Sequence, residues 1–351
     1  MLVRPYGVTP EGEAVELYTL GDDKGLCAQV ITYGGTIVAL EVPDRKGVRD
    51  NVVLSLPSLA KYLEQDAYLG ALIGRFANRI GGASFVLDGR KYQVSRNEGD
   101  NCLHGGRIGF NKTIWSVVDA ADTPEPRLTL RHLSPDGDQG FPGAVVVDVT
   151  YVVSRGDTLR IVYRAEADRP TVVNFTNHTY FNLGGGASTS ILEHELTIAA
   201  ERYTPVDDRL IPTGEMRDVA GTPFDFREPH TIGARIGAQD EQLTLALGYD
   251  HNFILGPAAS GELRFAARAR DPSSGRTLEV HTSQPGLQFY SGNHLDGTLR
   301  GPNGEIYGRH AACAFETQHF PDSPNKPAFP STVLNPGDRF TGTTEFRFNI
   351  D

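Results

Sequence analysis

Six segments of the sequence concentrate side chains that can exchange protons, donate hydrogen bonds or pair charges. Each segment is framed by strand-like apolar residues, where a buried polar group must find a partner. Such departures from the local hydrophobic pattern are expected where a function requires them. The six segments are Gly74–Ile80, Asn101–Gly106, Asn174–Leu183, Gly248–Asn252, Pro285–Asn293 and Phe315–Asp322.

Glu316 is the side chain in this set whose burial is most unfavourable, because it lies in the apolar stretch 311–320. A carboxylate there loses its hydration unless cations or hydrogen-bond donors meet it. Both a catalytic carboxylate and a buried structural ion pair satisfy that condition, so the residue alone does not decide between them.

The other polar residues each have a structural alternative. His178 can be a hydrogen-bonded core histidine, and His104, which precedes two glycines, can end a turn. Asp250 beside His251 is explained as simply by a turn at a strand edge, and Arg79 by a buried ion pair. The case for chemistry therefore depends on the whole set.

Together, the polar segments suit the recognition of a neutral polyol. Sugar hydroxyls are bound by Asn, Gln, Asp, Arg and His side chains, and the C–H face of the ring packs on an aromatic side chain. Phe289 or Trp115 could supply that side chain, although both are explained more simply as core residues. The sequence has no phosphate-binding loop, His-Glu-x-x-His motif, Gly-x-Ser-x-Gly turn or Cys-x-x-Cys pair.

The overall charge argues against nucleic acid and membrane surfaces as partners. The chain has 33 Lys and Arg residues against 44 Asp and Glu residues, a net charge of −11 at pH 7, which repels phosphate backbones and anionic lipid. There is no long apolar stretch and no signal-peptide core, so we expect a cytoplasmic protein. Cys27, Cys102 and Cys313 are widely scattered, and we expect them to be buried free thiols.

Alternating hydrophobicity predicts that most of the chain is β-structure. Apolar residues occupy every second position in 145–153, 159–165 and 263–267, as in strands with one buried face. The pair Asp88-Gly89 lies between two such runs and favours a tight hairpin.

Helical periodicity is limited to 59–65 and 231–236. No linker, low-complexity tract or fixed-period repeat divides the chain. Residues 1–351 are therefore predicted to form a single all-β domain, a large antiparallel β-sandwich of two broad sheets face to face with a few short helices.

In their order along the chain, the six segments resemble those of the aldose 1-epimerase (galactose mutarotase) family. The flanking sequences Tyr33-Gly34-Gly35 and Asn335-Pro336-Gly337-Asp338 also fit, so the resemblance covers essentially the whole chain. The matching motifs are Gly-Arg-Phe-Ala-Asn-Arg-Ile, Asn-x-Leu-His-Gly-Gly, Asn-His-Thr-Tyr-Phe-Asn-Leu, Gly-Tyr-Asp-His-Asn, Pro-Gly-Leu-Gln-Phe-Tyr-Ser-Gly-Asn and Phe-Glu-Thr-Gln-x-x-Pro-Asp.

The resemblance implies a large antiparallel β-sandwich with one sugar cleft and with neither a metal nor an organic cofactor. It implies interconversion of the α and β anomers of free aldohexoses, above all galactose and glucose. By the same resemblance, Glu316 is the catalytic base, His178 the catalytic acid and His104 a second histidine at the sugar ring. It assigns sugar binding to Asn78, Arg79, His104, His178, Asp250 and Gln288.

Anomerisation needs a base and an acid at one hemiacetal. The C1 hydroxyl loses its proton while the ring oxygen gains one, and each positioned group contributes roughly 10²–10⁴-fold. We therefore expect Glu316 to be ionised and His178 or His104 to be protonated in the resting site. Their attraction should lower the pKa of the carboxyl group and raise that of the imidazole.

Three other functions fit parts of the pattern. A glycoside hydrolase also places carboxyl groups around a sugar ring, but here the strongest set is one glutamate with two histidines. A sugar-binding module on the same fold would need no acid–base pair. The third is the same chemistry on a hexose 6-phosphate, a pentose or a modified sugar, of which a phosphate would call for additional Lys or Arg. The pattern fits a monomer and a homodimer equally.

Overall fold

The regular structure of this chain is almost entirely β. A computed structural model describes residues 1–22, 24–186, 188–256 and 261–351. Within these ranges the strands form three larger sheets and four two-stranded ladders, and all strand pairings are antiparallel. The predicted all-β, antiparallel architecture is confirmed, with its strands divided among three larger sheets.

The first sheet is built from consecutive strands in the order β1-β2-β3-β4-β5. Short elements that carry part of the polar segments follow it. The elements of this first part of the chain are β1 (Leu2–Val8), β2 (Ala14–Gly21), β3 (Cys27–Ile31), β4 (Thr36–Pro43), β5 (Arg49–Asn51), α1 (Leu59–Glu64), β6 (Leu72–Ile73), β7 (Arg79–Ile80), β8 (Ser84–Leu87), β9 (Arg90–Gln93) and β10 (Cys102–Leu103).

The rest of the chain supplies the two larger sheets. Its elements are β11 (Ser116–Ala121), β12 (Arg127–Ser134), β13 (Val145–Ser154), β14 (Thr158–Ala167), β15 (Thr171–Val172), β16 (Thr176–Asn177), β17 (Tyr180–Phe181), β18 (Glu195–Ile198), β19 (Ala200–Thr204), β20 (Arg217–Asp218), β21 (His230–Thr231), α2 (Glu241–Ala246), β22 (Asp250–Leu255), β23 (Arg264–Arg270), β24 (Arg276–Thr282), β25 (Gly286–Tyr290), β26 (Cys313–Gln318), β27 (Val333–Leu334) and β28 (Phe340–Ile350). The nine-stranded sheet has the order β11-β12-β13-β14-β28-β24-β23-β18-β21. The six-stranded sheet has the order β17-β26-β25-β22-β19-β20.

The hairpin predicted at Asp88-Gly89 is present. Leu87 of β8 pairs with Arg90 of β9, and Asp88 and Gly89 have φ angles of 51° and 73°. Positive φ at both central residues is what a two-residue type I′ turn requires. The alternating runs predicted in β13 and β14 are also confirmed, because every second side chain there is buried in the core.

The alternation predicted for 263–267 fails at Phe265. A register shift in the pairing of β23 with β24 falls between Phe265 and Ala267. As a result Ala266 and Ala267 are both buried, whereas Phe265 is 36% exposed. A β-bulge inserts an extra residue and so changes which face later side chains occupy.

The helix predicted at 59–65 corresponds to α1, but the other helical expectations needed correction. The stretch 231–236 contains only a 3₁₀ turn, over Ile232–Ala234. Helix α2 was not predicted, although Asp240 caps its N-terminus by accepting from the backbone N–H groups of Gln242 and Leu243. An N-capping aspartate is a recognised start signal, and it marks the beginning of this helix.

A single hydrophobic cluster contains residues of all three larger sheets, for example Val30, Val147 and Phe289. A shared core of this kind supports one domain over residues 1–351, and that extent stays a prediction. The three cysteines are buried and free, as expected. Among the described residues, no helix has the length and apolar character needed to cross a membrane.

Arg75, in the first polar segment, is a structural residue. It is 2% exposed, and its guanidinium donates to the carbonyl oxygens of Ser134, Pro142 and Gly143 at 3.0, 2.8 and 2.7 Å. Burial lowers its pKa to about 10. The side chain therefore joins the segment that carries the neighbouring site residues to the loop after β12.

Replacing Arg75 with Met should lower the free energy of unfolding by about 3 kcal/mol or more, because several buried carbonyl groups lose their donor. The control R90M removes an exposed arginine whose guanidinium lies over the Tyr92 ring, and should cost about 0.5 kcal/mol or less. Urea unfolding of both variants measures the difference. Equal losses would contradict the structural role of Arg75.

Candidate active site

One cavity brings most of the predicted polar residues together. Its volume is about 450 Å³. Residues from distant parts of the chain line it, so the tertiary fold assembles what the sequence separates. The predicted site residues that line this cavity are Asn78, Arg79, His104, His178, Asp250 and Glu316.

The register of the six-stranded sheet positions Glu316. In β26 successive side chains alternate between the two faces of the sheet, and Phe315 packs in the hydrophobic core. Glu316 therefore lies on the opposite face, where it lines the cavity. Gln288 of β25 is its direct cross-strand partner.

His178 lies next to Glu316 and is held by its backbone. The His178 N–H donates to the carbonyl oxygen of Ala71 at 2.9 Å, and the His178 carbonyl oxygen accepts from the N–H of Gly70 at 3.0 Å. The imidazole Nε2 lies 3.6 Å from Glu316 Oε1, and the two side chains are 5% and 2% exposed. An acid–base pair is thus held almost entirely away from solvent.

A backbone hydrogen bond sets the tautomer of His104. The N–H of Asn78 donates to His104 Nδ1 at 3.1 Å, so Nδ1 must present a lone pair. In the neutral ring the proton is therefore on Nε2, which makes that nitrogen a hydrogen-bond donor. The His104 and His178 rings meet nearly at right angles, with centroids 5.3 Å apart.

The same tautomer disfavours a metal ion at this site. One ligand atom each from His104, His178 and Glu316 lies within 4.8 Å of the others, a set that resembles a zinc site with an open position. A metal needs a free imidazole lone pair. In His104, however, Nδ1 accepts the Asn78 N–H and Nε2 carries the proton.

A second network surrounds Arg79. Its Nε and Nη2 donate to Glu98 Oε2 and Oε1, both at 2.7 Å, and its Nη1 lies 3.6 Å from Asp250 Oδ2. The other oxygen of Asp250 accepts from Gln288 Nε2 at 2.7 Å. Gln288 is 2% exposed and is not among the described residues that line the cavity, so it reaches the site through Asp250.

The aromatic side chains at the cavity differ from those expected. Phe289 and Trp115 are 0% and 1% exposed and belong to the hydrophobic core, so the suggestion that either provides a sugar platform is wrong. The aromatic residues that line the cavity are Tyr68, Tyr180 and Tyr290.

Three residues lining the cavity have left-handed backbone conformations: Tyr68, Asn78 and His104, with φ of 58°, 61° and 51°. Such conformations are costly for residues other than glycine and are concentrated at functional sites. The Tyr68 ring lies edge-on to His104, with centroids 4.6 Å apart. Neither Tyr68 nor Glu98 was identified from the sequence. The turn-forming residues around Glu98 indicate only a loop.

The comparisons with known proteins show to which family the chain belongs. The family model for aldose 1-epimerase matches residues 16–347. This chain belongs to the aldose 1-epimerase family. It is therefore a carbohydrate epimerase, in the isomerase class, as the motifs predicted.

Two relatives match this member of the family over nearly its full length. Galactose mutarotase from Homo sapiens is 45% identical over 346 residues, which cover 98% of this chain and 97% of the relative. Aldose 1-epimerase from Escherichia coli (strain K12) is 38% identical over 351 residues, which cover 99% of each.

Solved structures show the same fold. An aldose epimerase homologue from C. elegans matches with a TM-score of 0.88 and 31% identity, covering 96% of this chain and 99% of that one. Galactose 1-epimerase from Lactobacillus acidophilus NCFM matches with a TM-score of 0.87 and 30% identity, covering 99% and 98%. The predicted β-sandwich of this family is thereby confirmed.

Burial, rather than ion pairing, controls the protonation of the central residues. Desolvation raises the pKa of Glu316 well above its usual value; Asp250 adds to this effect and Arg79 opposes it. Desolvation lowers the pKa of His178 to about 4 and that of His104 well below its usual range. The expectation that attraction would lower the carboxyl pKa and raise the imidazole pKa is therefore wrong.

Burial consequently favours a protonated Glu316 and a neutral His178. This neutral pair contains the same number of protons as a carboxylate with an imidazolium. One proton is available to two groups 3.6 Å apart, and the titration belongs to the pair rather than to either residue.

The contribution of His178 to the free energy of unfolding should fall as the pH is lowered from about 7 to 5, so the change over this interval should be about 2 kcal/mol more favourable in H178N than in wild type. The folded protein keeps His178 neutral down to a pKa of about 4, whereas the unfolded chain accepts a proton near the usual value of 6.5. At this residue the unfolded state therefore binds more protons than the folded state, so the His178 contribution to the free energy of unfolding declines as the pH falls.

Urea unfolding at both pH values measures this difference. H230N, at a partly exposed histidine outside the cavity, controls for the loss of an imidazole. If H178N showed the same pH dependence as wild type, His178 would not be held neutral by burial.

Proposed function

We propose that this chain interconverts the α and β anomers of free aldohexoses, with D-galactose and D-glucose as substrates. The observation that carries the proposal is the placement of Glu316 and His178 3.6 Å apart at one cavity. The names of the two relatives, galactose mutarotase and aldose 1-epimerase, support this substrate class.

In this mechanism Glu316 is the base at the C1 hydroxyl and His178 is the acid at the ring oxygen. Transfer of their common proton to His178 produces a carboxylate and an imidazolium without exchange with solvent. The carboxylate then accepts the C1–OH proton while the imidazolium protonates O5, so that the C1–O5 bond breaks. C1 turns about the C1–C2 bond, and the reverse transfers close the ring on its other face.

His104 acts as the second histidine at the ring. Because its Nδ1 accepts from the Asn78 N–H, its protonated Nε2 can donate to a sugar oxygen while the imidazole stays neutral. This donation stabilises charge on the sugar without competing for the proton that Glu316 and His178 exchange.

Asn78, Arg79 and Asp250 bind the sugar hydroxyls in this proposal. Arg79 offers donors and Asp250 offers acceptors, which suits adjacent hydroxyl groups that can do both. Gln288 contributes indirectly, since its amide donates to Asp250 Oδ1. The hydroxyls away from C1 are thus held, and C1 is left free to turn.

The charges at the cavity support a neutral sugar rather than a sugar phosphate. Among the described lining residues, Arg79 is the only Lys or Arg, and Glu98 and Asp250 already face its guanidinium. A phosphate would meet an excess of carboxyl groups. Those lining the cavity are Glu64, Asp66, Glu98, Asp250, Asp296 and Glu316.

The geometry gives less support to the two non-epimerase alternatives. A hydrolase would need a second carboxyl group free to act at the glycosidic bond. Here one oxygen of Asp250 accepts from Gln288 and the other faces Arg79. A binding module does not need an acid–base pair. Because burying such a pair is unfavourable, its presence favours an enzyme.

We also propose a cytoplasmic enzyme that works as a monomer or homodimer, with no bound cofactor and no nucleic-acid or membrane partner. The net charge of −11 supports the last point, because anionic surfaces repel an acidic protein.

E316Q should lower kcat by at least about a hundredfold while preserving the fold, because the amide keeps the shape but cannot accept the proton. Polarimetry of fresh α-D-galactose and α-D-glucose measures the rate, and thermal unfolding checks the fold. The matched control E166Q changes an exposed glutamate paired with Arg339 and should keep wild-type activity. Mutarotation by E316Q close to the wild-type rate would refute the assignment of the base.

Glucose 6-phosphate should be a poor substrate, with kcat/KM at least about tenfold below that of glucose, because its dianion meets an acidic cavity. Exchange NMR between the two anomers measures both sugars at equilibrium and at one ionic strength. Equal kcat/KM values would contradict the preference for uncharged sugars. The difference should shrink at high salt if the repulsion is electrostatic.

A further inference from the structure

Glu98 lines the cavity, lies outside the six polar segments and makes a two-point contact with Arg79. Both of its carboxylate oxygens accept from Arg79, at 2.7 Å each. A two-point contact between a guanidinium and a carboxylate fixes the plane and direction of the arginine as well as attracting its charge. The Glu98 side chain is 33% exposed and that of Arg79 is 6% exposed.

The loop that carries Glu98 is held at both ends. Glu98 and Asn101 exchange backbone hydrogen bonds at 3.3 and 2.9 Å. The Asn97 side chain accepts from the N–H of Leu103 at 2.7 Å and donates to the carbonyl oxygen of Gly106 at 3.1 Å. Because His104 lies in the same closed loop, one segment of chain positions both the Arg79 partner and a histidine of the cavity.

The contact with Glu98 limits what Arg79 can do with Asp250. Glu98 occupies the Nε and one Nη2 hydrogen of the guanidinium. Nη1 faces Asp250 Oδ2 at 3.6 Å, beyond the usual range of a direct hydrogen bond. Arg79 and Asp250 are thus close enough to attract each other, yet both keep bonding capacity.

Without Glu98, the buried guanidinium would be free to rotate onto Asp250. A full two-point ion pair between Arg79 and Asp250 would satisfy both charges internally. Sugar hydroxyls would then have to break that pair in order to bind. The attraction is strong in this setting: although burial lowers the pKa of Arg79, Asp250 and Glu98 raise it above its usual value.

We propose that Glu98 is a positioning residue that holds Arg79 away from a closed ion pair with Asp250 and thereby keeps both side chains open to sugar hydroxyls. The proposal rests on the sugar-epimerase function proposed above. Glu98 acts through Arg79, and it takes no part in the proton transfers at C1 and O5. Its removal should therefore affect sugar binding more than the chemical step.

E98Q tests the proposal, since it preserves size and removes the charge. We expect KM for galactose to rise about tenfold or more while kcat falls less than about threefold. Polarimetry gives both constants. The control D100N alters an exposed carboxylate on the same loop, 3.7 Å from Arg96, and should leave both constants unchanged.

Binding can be measured separately from turnover with 1,5-anhydrogalactitol, which keeps the ring and the other hydroxyls but has no C1 hydroxyl and cannot open. Calorimetry should give a Kd that rises about tenfold or more in E98Q. E98D, which keeps the charge, should bind this ligand more tightly than E98Q. Thermal unfolding of each variant confirms that folded protein is compared.

Values of KM and Kd within twofold of wild type in folded E98Q would overturn the proposal, as would a loss confined to kcat. Weaker binding by E98D than by E98Q would overturn the role of the charge. If wild type bound the anhydro sugar but did not accelerate mutarotation, the proposed function would fail. A raised Kd in E98Q would still support the role of Glu98 in positioning Arg79.

Discussion

The site depends on the burial of a carboxyl group and an imidazole side by side. Glu316 and His178 are 2% and 5% exposed in their side chains, so desolvation, rather than their mutual attraction, determines which of their protonation states is favoured. Desolvation would make the pair useless if each group had to exchange protons with solvent. The proposed mechanism avoids this difficulty, because anomerisation consumes no proton overall and the pair would return to its initial state.

The surrounding structure fixes the positions of the side chains in and around this buried pair. The six-stranded sheet sets Glu316 opposite Gln288 by strand register, and Gln288 in turn holds Asp250. A backbone N–H rather than a side chain selects the tautomer of His104. Positions set by backbone and register are rigid, which suits groups that must keep hydrogen-bond distances while part of the substrate rotates.

Two arginines of one motif have different partners in the structure. Arg75 and Arg79 lie four residues apart in a single polar segment, and nothing local distinguishes them. Arg75 donates to backbone carbonyl groups of residues that do not line the cavity, whereas Arg79 lies between Glu98 and Asp250. The difference comes from which distant chain segments the fold places around each guanidinium. The aromatic residues show the same limit. The sequence allows Phe289 as a platform for the sugar ring, but in the structure Phe289 is a core residue.

The sequence by itself determined the all-β class, strands such as β13 and six of the residues that line the cavity, because these depend on local alternation and on motifs present in the chain. Only the tertiary structure decided the bulge that exposes Phe265, the hydrogen bond from Gln288 to Asp250, the Glu98 contact and the raised pKa of Glu316. Each of these depends on burial or on contacts between residues distant in sequence. Desolvation and hydrogen-bond partners are properties of a residue's surroundings, and the fold alone creates those surroundings.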